Sequence, residues 1–175
     1  MKISTNFDLI DKNKVSFLEN ILGSKFLYKK KIAPYGAHWI FFNENFNNKD
    51  LGIDGHPKRG KNIPLLKGYK RMFAGANLVF KKKIYFEDKI KKITEIKSLL
   101  KKKSDNKNIY FLNLANTFFR DNLEVLKETQ TIVFVKNNHV SNNGKKKSKN
   151  INLKLLHKKN FKFNNIDLFR YSALT

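Results

Sequence analysis

Apolar residues first recur with a helical spacing near the start of the chain. Val15, Leu18 and Leu22 fall at i, i+3 and i+7, behind an Asp11 able to cap and ahead of Gly23. That spacing predicts a helix over 11–22. Pro34-Tyr35-Gly36 breaks the chain, and His38-Trp39-Ile40-Phe41-Phe42 follows, too apolar to be exposed. Its length suits either a short buried helix or a strand. Residues 43–64 form a long polar connection, which in a compact domain usually serves a function or covers a site. Residues 74–86 predict a strand, and 109–119 another, rich in aromatic and β-branched residues without Gly or Pro. Leu126, Glu128, Gln130, Ile132 and Phe134 alternate on one face of 123–135. Arg120-Asp121-Asn122 between these strands reads as a hairpin turn, because Asp and Asn tolerate φ > 0. Over 89–100, Ile90, Ile93, Ile96 and Leu100 trace a helical stripe while the Ile and Thr content favours a strand. Spacing alone gives a helix there. Residues 136–152 read as a polar linker, and 153–175 regain apolar content but are too few to enclose a core. That tail must pack on the first domain or belong to another.

A chain of 175 residues suggests one ordinary domain, and 41% hydrophobic residues with 16 Phe suffice for its core. The absence of Cys excludes disulfides, thiolate metal sites and thiol nucleophiles. No window approaches 18 consecutive apolar residues, so no membrane span is expected. The first residues, MKISTNFDLIDKNK, carry no continuous apolar run, which argues against a signal peptide and makes the cytoplasm the expected location. A net charge of +23 raises the question of nucleic acid. Yet 33 of the 37 basic residues are Lys and 4 are Arg. Base readout favours the Arg fork. The Lys triplets at 29–31, 81–83, 101–103 and 145–147 are scattered, and an A/T-rich coding sequence would supply this composition. Solvated faces explain the charge better than a nucleic-acid surface. The charge still steers polyanionic ligands toward the protein.

Self-contained catalytic motifs are missing. Gly55-His-Pro-Lys-Arg-Gly60-Lys61 matches seven positions of a phosphate-binding P-loop, but Asn62 stands where Ser or Thr must hold Mg²⁺. No strand precedes it, and Pro64 disfavours a following helix, so a turn-rich loop is expected. His38, His56, His139 and His157 show no metal-ligand spacing, and no metal is expected. His38 beside Trp39 reads as a packed, hydrogen-bonded residue. His56 beside Asp54 suggests a base with an orienting carboxylate, though the Asp54-Gly55 turn explains the pair equally well.

His38–Phe42, then Leu51-Gly-Ile-Asp-Gly-His-Pro-Lys-Arg-Gly60, Pro64 and Arg71-Met-Phe-Ala-Gly75 occur in an order that resembles the N-terminal half of MaoC-like dehydratases. The branch resembled is that of mesaconyl-CoA hydratases and 3-hydroxyacyl-thioester dehydratases. Glu128–Val135 resembles the closing strand of that half, and Leu168–Thr175 the run before the catalytic segment of the second half. The resemblance implies an α+β hotdog fold, an antiparallel sheet wrapped around a central helix, as one half of a double hotdog. It makes 89–100 a strand and the segment at His38–Phe42 the central helix. It divides the chain into a hotdog over 1–136, a linker over 137–152 and the start of a second hotdog over 153–175. It implies reversible hydration of 2-enoyl thioesters to 3-hydroxyacyl thioesters. In the family a His with an Asp or Asn partner in the second hotdog activates the water, and backbone N–H groups polarise the thioester carbonyl. The match runs out at Thr175, before that segment, so no catalytic residue is assigned. Trp39, His56, Arg71, Met72 and Phe73 are expected to line or support the acyl pocket. No cofactor is expected beyond the coenzyme A or acyl carrier protein borne by the substrate. The expected partners are a catalytic hotdog subunit, a C-terminal half or a second copy. A free-standing acyl-CoA-binding hotdog and a basic nucleic-acid-binding protein are the alternatives.

Overall fold

A computed structural model describes residues 2–23, 31–52, 55–60, 63–104, 107–136, 158 and 160–175. Strand β1 (Lys2–Leu9) leads into helix α1 (Lys12–Leu22). Four long strands follow: β2 (Tyr69–Phe80), β3 (Lys89–Ser104), β4 (Lys107–Arg120) and β5 (Leu123–Lys136). Helix α2 (Asn165–Leu174) ends the chain. The strands form one antiparallel sheet in the order β1-β3-β4-β5-β2, so β1 and β2 are its edges. Residues 137–152, with His139, and also His157, Asp54, Lys61 and Asn62 lie outside the described residues.

Helix α1 forms as its spacing predicts. The Asp11 carboxylate accepts the Asn13 N–H at 2.8 Å, and Gly23 closes the helix at φ 57°, where a Cβ would be strained. Val15 and Leu18 turn inward. The β4–β5 turn also forms as predicted, with Asp121 and Asn122 at φ 47° and 67°. Two left-handed residues match the twist of a tight hairpin. β5 buries Leu126, Glu128, Ile132 and Phe134 on the predicted face.

Two expectations change. Residues 89–100 are strand, as the resemblance implied and the Ile spacing did not. β3 has neighbours on both sides, and its two backbone ladders outweigh a weak helical stripe. The helix expected at His38–Phe42 is a single 3-10 turn of helix at Ala37–Ile40, too short to be the central helix. Gly36 enters it at φ 90°, Phe41 is already extended, and Phe42 leaves at φ 64°. The Asp8 carboxylate accepts the Phe42 N–H at 2.7 Å and holds this reversal against β1. Ala37, His38, Ile40, Phe41 and Phe42 are buried, whereas Trp39 is partly exposed at 39%. In the C-terminal segment, helix α2 meets the first domain, one of the two placements left open above. Tyr171 and Leu174 of α2 pack on its core, and Asn43 Nδ2 donates to the Leu174 carbonyl at 3.0 Å.

The core has two parts. One gathers Ile10, Val15, Leu18, Ala37, Ile40, Phe41, Phe42, Ile90, Phe118 and Leu126, joining α1, the 37–42 segment and one end of the sheet. The other, toward the opposite end of the same strands, gathers Leu112, Leu114, Ile132 and Phe134 with Leu66, Tyr69 and Tyr110.

Candidate functional site

Between the two apolar clusters the sheet carries a row of polar side chains. Register sets it: Thr94 of β3 lies opposite Asn116 of β4, which lies opposite Glu128 of β5. Residues directly opposite share a face. Thr94 Oγ1 donates to Asn116 Oδ1 at 2.8 Å, and Asn116 Nδ2 donates to Glu128 Oε2 at 2.8 Å. The other oxygen of Glu128, Oε1, accepts from Trp39 Nε1 at 2.7 Å and from Gln130 Nε2 at 3.0 Å.

Glu128 is 1% exposed. Burial alone would raise its carboxyl, but His38, Trp39, Gln130 and Asn116 together overcome that and bring it down to about 2. The three direct donors are Trp39, Gln130 and Asn116. His38 Nε2 stands at 3.7 Å from Oε1, beyond a direct hydrogen bond. The carboxylate is therefore a fixed anion whose oxygens are occupied. It orients its neighbours and is poorly suited to accept a proton itself. Lys92, two residues before Thr94 and so on the same face, is pulled down by burial, partly offset by Glu128 and Glu44.

His38 is the unsatisfied member. Its side chain is 3% exposed, and neither ring nitrogen has a hydrogen-bond partner among the described residues. Phe80 and Phe118 hold the ring edge-on, at 6.1 and 5.4 Å between centroids, and Trp39 flanks it at 5.2 Å. It is packed, as expected, but the hydrogen bonding expected of it is missing. His38 also lines a cavity of about 20 Å³ with Ala33, Tyr35, Ala37, Phe80 and Ile84.

The five residues expected around the acyl pocket fall into two places. Trp39 belongs to the Glu128 cluster. Arg71, Met72 and Phe73 sit on edge strand β2, opposite Phe134, Val133 and Ile132 of β5, and Met72 and Phe73 are exposed. His56 is exposed on the 55–60 loop, whose Arg59 donates to the Tyr69 carbonyl at 2.9 Å and lies over the Phe134 ring. This second group thus gathers beside the Leu112–Phe134 cluster, away from Trp39. No group of His, Asp and Glu suited to a metal occurs among the described residues. Residue-level reading missed Glu128, Asn116, Gln130, Thr94 and Lys92 as a set. The signal was a charge at a core-facing position of an alternating strand.

A five-stranded antiparallel sheet closing over a helix and a buried turn, with a polar row between two apolar clusters, is a hotdog domain. The hydroxyacyl-thioester dehydratase type 2 family matches residues 36–175, and the chain belongs to it. This puts it among the MaoC-like hotdog dehydratases, as the DGHPKRG and RMFAG motifs implied. The mesaconyl-C(4)-CoA hydratase of Chloroflexus aurantiacus is 27% identical over 97 residues, 55% of this chain. The match spans 35% of that relative, about a third of its length. The ChsH1-ChsH2 complex from Mycobacterium tuberculosis is similar in structure, with a TM-score of 0.61 at 11% identity, covering 80% of this chain and 87% of that one. The C-terminally truncated HadBC complex, a 3R-hydroxyacyl-ACP dehydratase from the same organism, gives 0.52 at 12% identity, covering 74% and 94%.

Proposed function

We propose that this chain is the non-catalytic first hotdog of a hydratase/dehydratase that interconverts 2-enoyl and 3-hydroxyacyl thioesters. The family match over 36–175 carries the reading. The Glu128 cluster supports it: its anion is spent on orienting Trp39 and Gln130, which suits a wall better than an acid or base. A second hotdog, in a further part of the protein or in a partner subunit, then supplies the catalytic His. The substrate brings its own coenzyme A or acyl carrier protein, and no further cofactor is needed. Trp39, His56, Arg71, Met72 and Phe73 are proposed to wall the acyl channel. The partner is proposed to cover the apolar side chains left exposed on edge strand β2 (Met72, Phe73, Val79) and on α2 (Ile166, Leu168, Phe169). Both structural relatives named above were solved as complexes, in keeping with such a partner.

The test is hydration of crotonyl-CoA, followed by loss of the enoyl absorbance. The purified chain is expected to be inactive, and activity is expected when a second hotdog from a family member is supplied. Turnover by the chain alone would overturn the non-catalytic assignment. Thioester binding without activity in any pairing would favour the free-standing acyl-CoA-binding protein instead.

A further inference from the structure

The cavity beside His38 lies where segment 32–35 crosses the turn after β2. An isolated bridge between Ile32 and Tyr85 and a hydrogen bond from Ala33 N–H to the Ile84 carbonyl at 2.9 Å fix its walls. Ile10, Ala37, Phe41, Phe80 and Ile84 line it with hydrocarbon. Of the residues around it, His38 alone is both polar and buried. The cavity volume is about 20 Å³. A single water needs roughly 10–15 Å³ on this measure, so there is room for one. A recess of this size lined only by hydrocarbon stays dry, and a buried imidazole in its wall reverses that preference.

The two ring nitrogens have different surroundings. Nε2 stands 3.7 Å from Glu128 Oε1, and Glu128 does not line the cavity. Trp39, Gln130 and Asn116 all donate to that carboxylate. A carboxylate favours an N–H facing it over a lone pair, so in the neutral ring the proton belongs on Nε2 and Nδ1 is an acceptor. Nδ1 is buried, with no donor among the described residues. Leaving a buried acceptor unmatched costs more than immobilising one water. Water has the right size, can donate to Nδ1, and can spend its second hydrogen on a backbone carbonyl of 32–35 or 82–84. Such carbonyls keep a second lone pair even where one N–H already binds, as at Pro34 and Ile84.

We propose that this cavity is a water site, in which one buried water donates to His38 Nδ1 and makes His38 the positioning residue behind Glu128. The order is carboxylate, imidazole, water. The same order performs general-base hydration where a substrate can reach the water. Here the His38 side chain is 3% exposed, and Phe80 and Phe118 stand edge-on against its ring. A thioester has no way in. The water therefore acts through the ring: it fixes the tautomer, aims the Nε2–H at Glu128, and steadies the carboxylate that holds the Trp39 indole. This site stands whether or not the chain is half of a hydratase.

The experiment is NMR on the full chain labelled with ¹⁵N. A long-range ¹H–¹⁵N spectrum of the four His rings is expected to show one, assigned by its loss in His38→Leu, with its proton on Nε2. A long-lived water is expected to give Overhauser contacts to the backbone amide of at least one of Ala33, Ala37 and Ile84. Trp39 is the single Trp of the chain, so its indole N–H reports on Glu128 without ambiguity. His38→Leu fills the same space without an acceptor; it is expected to lose the water contact and shift the indole signal. His38→Gln keeps an acceptor and a donor, and is expected to retain the water and restore the indole signal toward its wild-type position. A proton on Nδ1, no water contact in the wild type, or a water contact that survives in a folded His38→Leu would each overturn the proposal. If His38→Leu does not fold, His38→Gln supplies the ring assignment, and the wild-type tautomer and water contact decide.

Discussion

Glu128 shows how a single residue can be visible in a sequence while its meaning is not. A carboxylate among Leu126, Ile132 and Phe134 on one strand face is an anomaly that alternation exposes. Of its donors, alternation places only Gln130 on the same face; Asn116 is 12 residues away and Trp39 is 89, and no pattern links them. Only strand register and the docking of the 37–42 turn bring them together. Its energetics are testable. The folded carboxyl lies at about 2 against an ordinary 4.5, so protonation favours the unfolded chain. The stabilisation, about 3 kcal/mol at 1.36 kcal/mol per pKa unit, is complete above pH 4.5 and is lost as pH falls toward 2. Glu128→Gln is expected to cost about 2–4 kcal/mol at neutral pH, because its amide N–H₂ meets donors where an acceptor is needed. Urea unfolding curves at a series of pH values check both points. The gap between wild type and variant should shrink below pH 4.5, and a constant gap would refute the assignment.

At the scale of elements, local chemistry was legible wherever a few neighbouring residues decide the outcome. The Asp11 cap, the Gly23 stop and the Asp121-Asn122 turn all act within a few residues. Asn122 stands at φ 67°, where a β-branched side chain is strongly disfavoured. Asn122→Val is therefore expected to lower stability by about 1–2 kcal/mol, and Asn122→Gly to be neutral or mildly stabilising, as read by thermal unfolding. Elements fixed by distant partners were not legible from spacing. β3 carries a helical spacing of Ile but is held by ladders to β1 and β4. β1 itself has no distinctive pattern and exists through its pairing with β3. The 37–42 segment was recognised as buried, but its form depends on Asp8, 34 residues earlier, clamping Phe42.

For the whole molecule, the resemblance supplied the fold class that periodicity left open, and the structure shows what α2 packs against. Treated as an unattached tail, residues 153–175 would be expected to lower solubility, so their removal would help. With Tyr171 and Leu174 packed on the first core cluster, removal of 161–175 is expected to destabilise the domain. Phe169 instead faces outward at 75% exposure. Phe169→Lys is expected to reduce self-association in analytical ultracentrifugation without lowering the unfolding midpoint. A deletion that raises the midpoint would show that α2 contributes nothing to the core.

The row Thr94–Asn116–Glu128 also acts as an index mark for the sheet. Long strands with repeating apolar faces slide easily, because a shift of two residues restores inward and outward sides. Such a shift between β4 and β5 would set Glu128 against Leu114 or Phe118 instead of Asn116. The anion would lose a donor and face hydrocarbon, at a cost of several kcal/mol. A chain with Leu in place of Glu128 would lose this mark and leave the register to the Asp121-Asn122 turn and to Thr131, whose Oγ1 donates to Asn113 Oδ1 at 2.7 Å.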